Sequence, residues 1–151
     1  MAQQKEMIST VNSLIETLKD GQEGFRQAAE AVKDPQLKQL FSGYSQQRAR
    51  FANELQIEAR QLGETKPEQS SSAAGALHRA WINLKSAATS GDDEAILAEC
   101  ERGEDSAVKE FEEAMHDGLS SSLGEIVSRQ FREVKNAHDQ IRNLRDTAKK
   151  N

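Results

Sequence analysis

The chain has 151 residues, 36% hydrophobic, 5% aromatic and 30% charged, with a formal net charge of −5. That is one domain's length with room for its own core, and its acidic balance disfavours nucleic acid or an anionic membrane as a partner. A single cysteine excludes an intramolecular disulfide framework and a thiolate zinc site.

No apolar run approaches the roughly 18 residues that cross a bilayer. The opening MAQQKEMIST lacks the apolar core of a signal peptide, so the expected location is the cytoplasm. Two prolines and no sustained apolar–polar alternation argue against a β fold. Leu, Ile, Val and Phe together number only 29, but 19 alanines let helices bury their faces by close approach.

A first helix is expected over about 5–33, with Val11, Leu14, Leu18, Gly21, Phe25, Ala28 and Val32 in steps of three and four along one face. Pro35 disfavours helix at Asp34, and Asp34 suits the cap of a second helix over 35–62. Its buried side carries Leu37, Leu40, Phe41, Tyr44, Phe51, Leu55 and Leu62, and Gly63 is a natural stop. Pro67 and the serines at 70–72 mark a linker, followed by a short helix over 73–89 that places Leu77, Trp81 and Leu84 on one face.

The acidic run Asp92–Glu94 opens a helix over 93–117 that aligns Leu97, Cys100, Glu104, Ala107, Phe111 and Ala114. Ser122 and Glu125 read as a capping box for the last helix, 122–149, which presents Val127, Phe131, Val134, His138, Ile141 and Leu144. Residues 1–151 thus read as one all-α domain. Two antiparallel helix pairs are joined by a long crossover that carries the short helix.

Arg48, Glu104 and His138 are ionisable residues on otherwise apolar faces at similar heights. Bundles of this kind build dinuclear metal sites at mid-height from inward carboxylates and Glu-x-x-His pairs. Here Phe51 stands three residues after Arg48 and Lys135 three before His138, so both pairs are absent. Glu16, Asp20 and Glu23 project away from the first helix's stripe. A polar core layer is therefore expected, in which Glu104 pairs with Arg48 and accepts a bond from His138.

Cys100 reads as packing. His78, Arg79 and Trp81 on the crossover form a candidate interaction surface, against the plainer alternative that Trp81 and Leu84 cover the bundle while His78 and Arg79 are solvated. The basic residues of the last helix, among them Arg129, Arg132, Lys135, Arg142 and Arg145, are interrupted by Glu133, Asp139 and Asp146. They suit a solvated face or a contact with another subunit better than nucleic acid.

The runs LIETLKDGQEGFRQAAE, DPQLKQLF, GALHRAWINLKSA and ECERGEDSAVKEFEEA closely resemble an uncharacterised bacterial family of ferritin-like four-helix-bundle proteins, classed as a domain of unknown function. The resemblance spans about Val11 to Arg145 and implies a ferritin-like bundle with one long crossover. The wider ferritin-like group implies iron or manganese. Gly103-Glu104 looks like its helix-three Gly-Glu ligand motif and His138 like its helix-four histidine, whereas Arg48, Phe51 and Lys135 stand where further ligands belong. The expected function is accordingly non-catalytic, by binding or assembly, stress-related by family analogy, with no cofactor and with a homodimer mate or another protein as partner. The alternative is an iron- or manganese-binding protein with a divergent site at Glu104 and His138, joined by acids such as Glu16, Asp20, Glu54 or Glu101 if the helix phases differ by a residue.

Overall fold

In a computed structural model, residues 2–63, 81, 84–89 and 91–150 are described. They form five helices: α1 (Ala2–Ala31), α2 (Pro35–Gln61), α3 (Leu84–Thr89), α4 (Asp93–His116) and α5 (Ser121–Lys150). No strand occurs among the described residues, and none of their helices is long and apolar enough to cross a membrane.

The caps follow the local sequence. Asp34 is extended (φ −67°, ψ 120°) and accepts from the Gln36 amide at 2.8 Å, while Pro35 occupies the first turn, where its missing N–H is not needed. Asp92 does the same for α4, accepting from the Glu94 amide at 3.0 Å. Gly118, at φ +69°, makes the left-handed turn between α4 and α5 that a side chain would strain. The last helix departs from the expected capping box. It begins at Ser121, and the Ser120 carbonyl accepts from the Gly124 amide at 2.7 Å, so Ser122 lies inside the first turn. Of the short crossover helix expected over 73–89, Leu84–Thr89 is described as helix and Trp81 as a bend; the expected start at 73, with His78 and Arg79, lies outside the described residues.

The four long helices form a ring: α1 packs on α2 and α4, and α5 packs on α4 and α2. Asp93 at the start of α4 accepts from the Lys33 and Asp34 amides at 2.9 and 3.1 Å, and Thr10 donates to Asp117 at 3.3 Å. Hence α1 and α4 run antiparallel, α2 and α4 run parallel, and the chain between α2 and α4 must return along the whole bundle. At 1.5 Å per residue, the 27 residues of α2 set that return at about 40 Å.

The core falls into two apolar clusters stacked along the bundle. One holds Leu14, Leu18, Phe51, Leu55, Phe111 and Val127; the other holds Phe25, Phe41, Trp81, Leu97, Cys100 and Ile141. Along every long helix the change from one cluster to the other brackets the same level: Leu18/Phe25, Phe41/Phe51, Cys100/Ala107 and Val134/Ile141. That level is polar.

Candidate functional site

Arg48 projects into the mid-level from α2 and Glu104 meets it from α4, with side chains 1% and 0% exposed. The guanidinium donates through Nη1 to Oε1 at 2.6 Å and through Nη2 to Oε2 at 2.7 Å, a two-pronged geometry that occupies both carboxylate oxygens. Its Nε donates to Gln47 at 3.2 Å, and its Cζ lies 5.3 Å from the centre of the Phe25 ring. Gly21 on α1 leaves the space: a Cβ there would stand 3.4 Å from Arg48 Nη1. Tyr44 packs beside the pair and donates to Gln140 at 2.5 Å. Burial, and then the Glu104 carboxylate, push its hydroxyl up to about 12.

His138 is also buried, at 6% exposure, but it does not bond Glu104 as expected. Its Nε2 faces Asp105 Oδ1 at 2.5 Å and its Nδ1 faces Asp139 Oδ1 at 3.0 Å. The reason is rotational. Glu104 turns into the bundle centre, whereas Asp105, one residue on, turns 100° further into the groove between α4 and α5. Arg48, Glu104 and His138 therefore form a central ion pair and a separate histidine cluster rather than one layer.

Gly103, expected beside a ligand glutamate, has another task. A Cβ on Gly103 would stand 2.4 Å from Trp81 Cε2, and one on Gly24 of α1 would stand 2.4 Å from Trp81 Cδ2. The indole from the crossover fills the gap that these two glycines open, 5% exposed and edge-on to Phe25 at 5.2 Å.

Three further buried polar residues escaped the sequence stripe. Asp20, expected to project away, is 5% exposed and lines a cavity of about 440 Å³ between α1 and α4, together with Glu16, Trp81 and Arg102. Glu99, 7% exposed, pairs with Arg102. Gln130, fully buried, donates to the Phe51 carbonyl at 3.3 Å and to Glu54 at 2.9 Å. Its spacing carried the signal, since Gln130 lies three residues after Val127 and four before Val134. Several basic residues of α5 are engaged across helices: Arg129 pairs with Glu54, and Arg145 with Glu101 at 2.8 Å.

Cys100 is fully buried, and burial, then the charges of Glu104 and Glu99, push its thiol well above the usual range. In native protein a disulfide-exchange reagent is expected to leave it unmodified over hours, and to label one thiol per chain at once in denaturant. Rapid native labelling, read by absorbance, would contradict its burial.

The mid-level does not suit the dinuclear centre that a ferritin-like layout implies. Both Glu104 oxygens serve Arg48, whose permanent positive charge repels a cation at the same spot. The sequence model of one family, the domain of unknown function DUF2383, matches residues 6–117. The chain belongs to that family. The matched span takes in α1, α2, Trp81 and α4, and hence Gly24, Arg48, Gly103 and Glu104, but it stops before His138. No curated protein matches the chain.

Proposed function

We propose that this DUF2383 protein is a non-catalytic, ferritin-like bundle of the bacterial cytoplasm that works by binding or assembly, with a second copy or another protein as partner. One observation carries the reading: the position where such a bundle would run oxidase or peroxidase chemistry holds the Arg48–Glu104 pair. Three of the four usual carboxylates of a dinuclear site are replaced, by Gly21 on α1, Arg48 on α2 and Lys135 on α5, and Phe51 stands in place of one of the two histidines. A buried free thiol suits a reducing compartment.

The test is turnover. Fe2+ added to the protein in air is expected to oxidise at the rate seen in buffer alone, and peroxide to decay at its buffer rate. A protein-dependent acceleration that Glu104→Gln abolishes would overturn the proposal.

A further inference from the structure

The groove between α4 and α5 holds a cluster distinct from the central pair. Glu101 and Asp105 are four residues apart on α4 and so share a face, and His138 faces them from α5. One ligand atom from each lies within 4.8 Å of the other two. We propose that Glu101, Asp105 and His138 form a mononuclear site for a divalent transition cation, with Zn2+ the best-fitting probe. Glu104 takes no part in it.

The donor set is one imidazole nitrogen and two carboxylates, which suits Zn2+ at bond lengths of about 2.0–2.2 Å. Tetrahedral geometry would set the ligand atoms about 3.3 Å apart. Asp105 therefore swings outward from its 2.5 Å contact with Nε2 while Glu101 closes in. Asp105 is free to turn, its side chain being 60% exposed, whereas His138 is held at 8%. Asp139 does the holding. Nδ1 faces its carboxylate at 3.0 Å and Nε2 faces Asp105, so a bound cation would take the place of the proton between Nε2 and Asp105 while Nδ1–H donates to Asp139, the outer-carboxylate arrangement that orients metal-binding histidines. The exposed side of Asp105 leaves the fourth position to water.

Two cations compete for the site. Arg145 Nε lies 2.8 Å from Glu101 Oε1 and Arg142 Nε 4.0 Å from Oε2. The arginine side chains are 30% and 56% exposed against 13% for Glu101, and Arg145 Nε and Glu101 Oε1 meet without hydrogen-bond geometry, which leaves the carboxylate open to exchange one cation for another. Zn2+ must displace Arg145 from Glu101, so removing the arginine is expected to strengthen binding. A surface ion-pair cluster without a metal role would show no such gain.

The experiment is calorimetric titration of the chelator-treated, desalted full chain with ZnCl2 at fixed pH. One Zn2+ per chain is expected, with at least 10-fold weaker binding in His138→Gln and in Glu101→Gln, and several-fold tighter binding in Arg145→Gln. Should His138→Gln fail to fold, the Arg145→Gln gain and a Zn2+-dependent shift of the His138 ring signals in the native protein's NMR spectrum decide the matter. Absence of saturable binding would overturn the proposal, as would binding that neither His138→Gln nor Arg145→Gln alters. Neither result decides the turnover test at the Arg48–Glu104 level, because the two sites share no residue.

Discussion

Glu104→Ala is expected to lower the unfolding free energy by about 3–5 kcal/mol, the loss typical when one partner of a buried ion pair is removed. For a domain of this length that corresponds to a fall in Tm of about 6–20 °C. The cause is the partner left behind: Arg48 is 1% exposed, and its guanidinium would be buried without a counter-charge. Replacing both residues together, Arg48→Met with Glu104→Leu, removes the stranded charge and refills the space with apolar groups. That double variant is expected to match the parent or exceed it by about 1–4 kcal/mol. Denaturant unfolding with a common slope measures all three proteins. A Glu104→Ala loss below about 1 kcal/mol would mean that the guanidinium reaches water at little cost.

Gly103→Ala should destabilise the protein even though alanine is the better helix former. In an open helical position the exchange gains up to about 1 kcal/mol. Gly43 on α2 is such a position, with nothing within 4 Å of an added Cβ, so Gly43→Ala should be stabilising. At Gly103 the added carbon would stand 2.4 Å from the indole of Trp81, so the ring must move. Overpacking of that kind costs about 1–3 kcal/mol, which outweighs the helical gain. The chain's lone tryptophan reports the event directly. Its fluorescence should shift to the red in Gly103→Ala and stay unchanged in Gly43→Ala. An unshifted spectrum in Gly103→Ala would show that the crossover yields without releasing its ring.

The long helices were legible because their apolar stripes run in unbroken steps of three and four and end at Asp34-Pro35, Gly63 and Gly118. Arg48 and Glu104 stood out for the same reason, as charges where the stripe called for apolar residues. Their pairing follows from geometry, since two buried opposite charges at one height have little else to bond. His138 was a harder case. Its partners, Asp105 and Asp139, lie off the stripes, and only the rotation of α4 against α5 brings Asp105 to Nε2.

Trp81 illustrates a different limit. A glycine within a helix reads as a weakness or as part of a motif, and nothing along the chain says that Gly24 and Gly103 open one gap for a ring 57 and 22 residues away. Gln130, polar but fully buried, fits the spacing of its stripe better than Phe131, which is only partly buried. Asp20 lies at the edge of its stripe, on the side where α4 and Trp81 together line a cavity.

The mid-level pair also bears on how the two hairpins line up. Leucine and alanine faces are nearly indifferent to sliding by one helical turn, about 5.4 Å, because such a slip brings similar side chains into similar grooves. Two polar fastenings break that indifference. Asp93 grips the amides of Lys33 and Asp34 at one end of the bundle, and Glu104 meets Arg48 near its centre. A slip of one turn would undo both at once and leave a buried guanidinium facing hydrocarbon. The ion pair thus acts as an axial key: it adds little net stability, but it makes one vertical alignment of the hairpins far better than its neighbours.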